Sequence, residues 1–302
     1  MRRKPFGKRG VGAMVTVFIF AVVFFLSYST IAHAQTPPKK TKILLITQRL
    51  DHFINPEKRP EPGREVHMYE DGCKILAKCL EQTPNVETVI CDKWPKDPAI
   101  KKDVEAIVLF TDPGYMVLFT EENEKEVADL LKKGVGLTAI HWATGQKATD
   151  EAWRRNTIPW LKALGGMDGI AGNNMSTAKV EKVIPDHPIS RGVPEFDLEE
   201  EYYMNPALLA WAKPLFKARL TIDGQAMDNP VAWVYDRYSD ERFLGGRSYG
   251  VTLGHYHMNW RLEALRRLVV NGILWTAHLE IPKNGAPCAV SEQDLKLPNY
   301  WK

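Results

Sequence analysis

Short, unbroken apolar runs alternate with helical spacing through the first half of the chain. Residues 42–47 form a continuous apolar run too short for a helix, so they read as a buried strand. Residues 68–80 place Ile75, Leu76 and Cys79 on one helical stripe. Residues 86–90 and 106–110 read as a second and a third strand. Thr120, followed by Glu121, Glu122 and Glu124, predicts a capped helix that Lys132, Lys133 and Gly134 close. Residues 136–140 are a fourth strand. The order is β-α-β-β-α-β, or β-α-β-α-β-α-β if 94–104 holds a short helix. Such alternation predicts a parallel sheet with helices on both faces. Its strand-to-helix loops gather at the carboxyl edge, where these folds bind ligands.

The second half is less regular. Residues 179–184 alternate like a half-buried strand, and 231–235 and 248–253 read as two more. Residues 262–279 predict an amphipathic helix. One domain is expected from about 42 to 282, behind a polar linker at 35–41 and ahead of a tail at 283–302 with no core of its own. The loop at 48–65 is long enough to expect function or disorder there.

Composition narrows the class. Apolar residues make up 44% and charged residues 25% of 302, which excludes a disordered chain, a collagen or a coiled coil. The net charge of +3 comes from the N-terminus. Residues 1–10 are basic, 11–26 are apolar, and Ala32-His33-Ala34 is a small-x-small triplet. This is the layout of a signal peptide over 1–34, cleaved after Ala34. The expected location is therefore periplasmic or secreted, with membrane anchoring by an uncleaved 11–26 as the alternative. Without 1–34 the chain holds 35 basic and 37 acidic residues. That balance gives no reason to expect nucleic acid, and no stable membrane partner is expected after cleavage. Cys73, Cys79, Cys91 and Cys288 show no zinc-type CxxC spacing. They are expected as free buried thiols, with a Cys79–Cys91 pairing left open.

Histidines carry the candidate chemistry. His141 ends the fourth strand, where a sharp strand-to-helix turn exposes one side chain. The bland alternative is a buried imidazole bonded to backbone. His255 and His257 sit at i, i+2 after Gly254 and point the same way if the chain is extended. Paired neutral imidazoles suit a transition metal or acid–base work. Glu199, Glu200 and Glu201 read as a solvated loop unless one turns inward. An inward Glu201 would complete a His/Glu/His set with His141 and His255 for a divalent transition metal. His52 and His67 flank the end of the long first loop, and His67 could equally cap the next helix. Trp142, Tyr203 and Trp260 offer flat apolar faces for a sugar ring. GxGxxG, GxxxxGK[ST] and HExxH are absent, so nicotinamide and nucleotide readings lose their usual support.

Several segments stand together in register: Ile140-His141-Trp142, Asp186-His187-Pro188-Ile189 with Gly192 and Phe196, Glu200-Glu201-Tyr202-Tyr203, Pro230-Val231-Ala232-Trp233, Gly245-Gly246-Arg247 through Gly254-His255, and Asn271-Gly272-Ile273-Leu274-Trp275. Over about 42–282 the chain thereby resembles the ThuA-like (trehalose utilisation) family. The resemblance implies an α/β fold: a flavodoxin-like, class I glutamine amidotransferase-like three-layer sandwich with a mainly parallel sheet. His141 stands where amidotransferases carry their elbow cysteine, so cysteine-based amide transfer is not expected. The implied substrates are oxidised (3-keto) sugars and related glycosides. By position, His141, Glu201 and His255 are the implied pocket residues, with His67 and His257 second, and Glu200 stands where the family often has Asp. Two functions are carried forward. One is an exported enzyme that cleaves a C–O bond of, or isomerises, a keto-sugar or glycoside with histidine and glutamate, with either a metal or an imidazolium as the electrophile. The other is a non-catalytic carbohydrate-binding or interaction protein on the same fold.

Overall fold

Strand β1 (Thr41–Thr47) sets the frame. Its Ile43 and Leu45 face one way and Leu44 and Ile46 the other, and all four are fully buried. Both faces of the sheet must therefore be covered. The computed structural model describes residues 39–48, 60–145, 151–168, 172–237 and 245–300. The expected signal peptide and His52 lie outside the described residues. Among the described residues, no helix is long and apolar enough to cross a membrane.

After β1 come α1 (Tyr69–Leu80), β2 (Val86–Asp92), a single helical turn α2 (Pro98–Lys101) and β3 (Val104–Leu109). Then follow α3 (Tyr115–Leu118), α4 (Glu124–Lys132), β4 (Gly136–Ile140) and α5 (Glu151–Leu164). The optional helix within 94–104 is thus α2, held by Asp97, whose carboxylate accepts from Ala99 N at 2.8 Å. Helix α4 starts later than its cap signal predicts. Thr120 Oγ1 accepts from Asn123 N at 3.2 Å and closes a turn ahead of the helix proper.

The second half contributes β5 (Gly166–Met167), β6 (Asn173–Lys182), β7 (Phe196–Tyr203) and β8 (Ala207–Leu208). It continues with β9 (Lys213–Ile222), β10 (Gln225–Asp236), β11 (Arg247–Val251) and α6 (Glu263–Thr276). Nine strands form one sheet in the order β2-β1-β3-β4-β11-β10-β9-β6-β7. The pairs from β2 to β11 are parallel, and those from β11 to β7 are antiparallel. Helices α1 and α6 cover one face of the parallel part, where Leu76, Leu80, Leu265 and Leu268 meet Ile43 and Leu45. Helices α4 and α5 cover the other through Val127, Leu131 and Trp160. This is the expected three-layer sandwich, extended by an antiparallel meander.

The meander curls back on the parallel half. Four strand spacings separate β7 from β11, about 19 Å if the sheet were flat. Yet Glu200 of β7 accepts a hydrogen bond from His255 N, just past β11, at 2.6 Å. The curl brings an edge strand over the carboxyl ends of β4 and β11.

The chain after α6 contributes no helix or strand among the described residues, but it is bound to the domain. Ala286, Cys288 and Leu295 are buried, and Arg266 Nε donates to the Cys288 carbonyl at 2.9 Å. Lys78 of α1 holds Asp294 at 2.6 Å. All four cysteines are free thiols, and burial pushes the Cys73 and Cys79 thiols up to about 12.

Candidate metal and substrate site

His141 is the first residue after β4, and the turn holding His255 follows β11, the parallel neighbour of β4. Both therefore stand at the carboxyl edge. Gly254 sits at φ +121°, a conformation open to glycine, and swings the chain so that His255 turns inward. His67 enters from the segment before α1. Its backbone N donates to the His255 carbonyl at 3.1 Å, and His257 N donates to the Glu65 carbonyl at 2.9 Å. A short antiparallel bridge at Val66 and Tyr256 locks the two segments together. His67 and His141 both hold positive φ, +56° and +54°. Each such backbone costs roughly 1–3 kcal/mol and persists only where its surroundings over-determine it.

The three imidazoles converge. His67 Nε2 lies 3.2 Å from His141 Nε2 and 3.1 Å from His255 Nδ1, and the last two are 3.1 Å apart. Glu201 Oε2 lies 3.0 Å from His255 Nδ1 and 3.4 Å from His141 Nε2. His141 Nδ1 faces the Thr252 carbonyl at 2.9 Å, and a carbonyl only accepts, so Nδ1 carries the proton. In the neutral ring its Nε2 is then a lone pair aimed at the cluster, with Tyr203 OH donating to it at 3.2 Å. This backbone-anchored nitrogen is the usual outer-shell support of a metal-binding histidine.

Burial alone would raise the Glu201 carboxyl, but hydrogen bonds and charge from His141 and His255, when those rings are protonated, outweigh it and hold it well below the usual carboxylate range. Asn173 donates to its other oxygen. Burial, with the Glu201 charge behind it, pushes the Tyr203 phenol well above its ordinary value, so it stays a donor. Converging lone pairs beside a carboxylate repel one another unless a cation or protons lie between them. Ligand nitrogens about 2.0–2.1 Å from one ion stand roughly 2.9 Å apart on an octahedral face and 3.3 Å apart in a tetrahedron. The observed triangle falls between these values, so the residues present fit a divalent transition metal.

The remaining candidates divide. Trp142 is half-buried, its ring 5.4 Å from that of His67. Tyr203 stacks on His141 at 5.0 Å. Trp260 is 1% exposed and packs edge-on against Phe110, so it belongs to the core and offers no face to a ligand. His257 does not join His255. The chain enters a 3-10 turn at His257–Arg261, the two-residue alternation ends, and His257 Nε2 instead donates to the Leu295 carbonyl at 3.1 Å. The acid triplet is a strand: Glu199 is exposed, Glu200 fully buried and Glu201 turned to the histidines. Glu200 is absent from the set read out of the sequence. The signal was there, since Phe196, Leu198 and Tyr202 share its period-2 face.

The family model for ThuA, trehalose utilisation, matches residues 64–276, more than half of the chain. The chain belongs to the ThuA family. A ThuA-like protein from Bacteroides uniformis shares 18% identity over 85% of this chain and 98% of its own, with a TM-score of 0.56. One from Parabacteroides merdae shares 15% over 86% and 100%, with a TM-score of 0.57. At these identities the likeness concerns the fold of this ThuA-family chain. A glutamine amidotransferase from Thermotoga maritima aligns at 17% identity over 71% of this chain and 75% of its own, with a TM-score of 0.37. Comparison with curated proteins found no match.

Proposed function

We propose that this ThuA-family chain is an exported enzyme that uses a divalent transition metal to process keto-sugars or related glycosides, by C–O cleavage or isomerisation. The observation that carries the reading is the triangle of imidazole nitrogens, 3.1–3.2 Å on a side, closed by Glu201. His67, His141, Glu201 and His255 would hold the ion. When bound, it supplies Lewis-acid polarisation of a ketone oxygen, which acidifies the neighbouring C–H. Glu201, kept ionised by the imidazoles, offsets the ion's charge. With the His141 Nε2 lone pair on the ion, the Tyr203 hydroxyl, kept protonated, would be free to donate to a substrate oxygen instead. Trp142 provides a flat apolar face beside the cluster.

The test is elemental analysis of the purified chain beside His141→Ala and His255→Ala, followed by turnover assays on keto-glycosides with the metal found. A near-stoichiometric transition metal, lost in both variants, together with turnover, supports the reading. No metal uptake after reloading sinks it. Metal and sugar binding without turnover would leave a carbohydrate-binding protein.

A further inference from the structure

The two acids that neighbour each other on β7 face opposite ways and act on the same histidine. Glu201 points to the His255 ring, with Oε2 3.0 Å from Nδ1. Glu200 points to the His255 backbone. Its Oε1 accepts from Gly254 N and from His255 N, the latter at 2.6 Å, and its Oε2 accepts from Asn259 Nδ2 at 2.7 Å. Asn259 in turn donates to the Glu199 carbonyl at 2.8 Å, tying the 3-10 turn after His255 to β7. A fully buried carboxylate in so apolar a setting is costly unless its lone pairs are filled. Here three N–H donors fill them, and all three belong to the segment that delivers His255.

We propose that Glu200 is a positioning residue for the cation site: it clamps the turn at 254–255 so that the His255 Nδ1 meets the other two imidazole nitrogens. The inference rests on the metal reading above. Gly254, at φ +121°, has no side chain to restrict its backbone, so the turn that aims His255 depends on outside restraint at both ends; the bridge at Val66 and Tyr256 holds the far end. Glu200 holds it from the strand that also provides Glu201. The ring and the carboxylate that approach each other to 3.0 Å are therefore fixed by adjacent residues of one strand.

The test is a Co(II) titration of the purified full chain, followed by the visible d–d absorption, in wild type, Glu200→Ala, Glu200→Gln and Tyr202→Phe. Removing an outer-shell partner of a ligand typically costs 10–100-fold in metal affinity. Glu200→Ala is expected to bind Co(II) at least tenfold more weakly, with an altered d–d envelope. Gln keeps an acceptor for the two backbone N–H groups but sets its own NH2 against that of Asn259. Its expected loss is intermediate, about three- to tenfold, and it decides the matter if the Ala variant does not fold. Tyr202→Phe removes a hydroxyl that donates to the Leu198 carbonyl at 2.8 Å, so it loosens β7 without touching the turn. It is expected to keep wild-type affinity and spectrum, which separates positioning from general weakening of the strand. A folded Glu200 variant, Ala or Gln, with wild-type affinity and spectrum overturns the inference. So does a Tyr202→Phe spectrum as altered as that of Glu200→Ala. A wild-type chain that takes up no Co(II) overturns the metal reading itself.

Discussion

If the histidine cluster holds a cation as proposed, stripping it has a calculable cost. In the chelated protein the three nitrogens remain 3.1–3.2 Å apart beside a carboxylate, and the Thr252 carbonyl keeps the His141 proton on the far side of its ring. An ion that binds only the folded state adds RT ln(1 + [M]/Kd), about 2.7 kcal/mol when free metal is a hundredfold above Kd. Unfolding entropy is about 2.1 cal/mol/K per residue near 60 °C, or roughly 0.5 kcal/mol/K over about 236 described residues. The quotient is a rise in Tm of about 5 °C, and about 8 °C at a thousandfold excess. The assay is thermal unfolding followed by intrinsic fluorescence, after chelator dialysis and again after reloading with Zn(II), Co(II) or Mn(II). His141→Ala, which removes one corner of the triangle, should show no metal-dependent rise. If wild type melts within about 1 °C with and without each of these metals, with free metal in the millimolar range, the reasoning fails.

Three further outcomes follow from the same structure. Glu201 is more acidic folded than unfolded, so its ionised form adds stability that is complete above the usual carboxylate range and fades as pH falls through the folded value. In metal-free protein, Glu201→Gln should therefore lower urea stability at pH 7, and the gap from wild type should narrow below about pH 4; a pH-independent gap would contradict this. A Cβ at Gly272 would lie 2.1 Å from Tyr249 Cε1 in the packed face between α6 and β11. Gly272→Ala should thus destabilise by about 1–3 kcal/mol in urea unfolding, and a neutral result would mean the helix can shift freely. Trp260→Ala should cost about 3–5 kcal/mol as a core truncation, whereas Trp142→Ala should change sugar affinity with a far smaller stability loss, read by calorimetric titration beside urea unfolding.

Some of this architecture stands openly in the residue order. Strands β1, β3 and β4 are short apolar runs buried on both faces, and α6 carries a long apolar stripe, so periodicity finds them. Strand β7 hides behind its own chemistry: three consecutive acids look like a solvated loop, and only tertiary contacts reveal that one of them is buried against backbone N–H groups. Helix α5 is not legible in the residue order because Pro159 sits inside it. In β9, Phe216, Ala218 and Leu220 share the buried face while Lys217 and Arg219 stand on the opposite, more exposed one, an alternation of period two. At the site, residue type identified the histidines, but spacing misassigned one. His257 shares an HxH with His255, yet the turn at 257 sends it elsewhere, while His67 arrives from a distant segment. Sequence distance carries no information about such a contact, because the isolated bridge at Val66 and Tyr256, outside the sheet, exists only in the folded chain.

The curl of the antiparallel meander also dictates when the cluster can exist. Its histidines are separated by 74, 114 and 188 residues, and Glu201 reaches them only after the edge strand has folded back over the parallel half. Contacts of that separation are the last to recover their loop-closure entropy. Unlike a zinc finger, in which the ion organises the chain, this domain has to complete its topology before four ligands meet. Under the proposed metal reading, loading is a late maturation step, and a bound ion would be a readout that the whole sheet has closed.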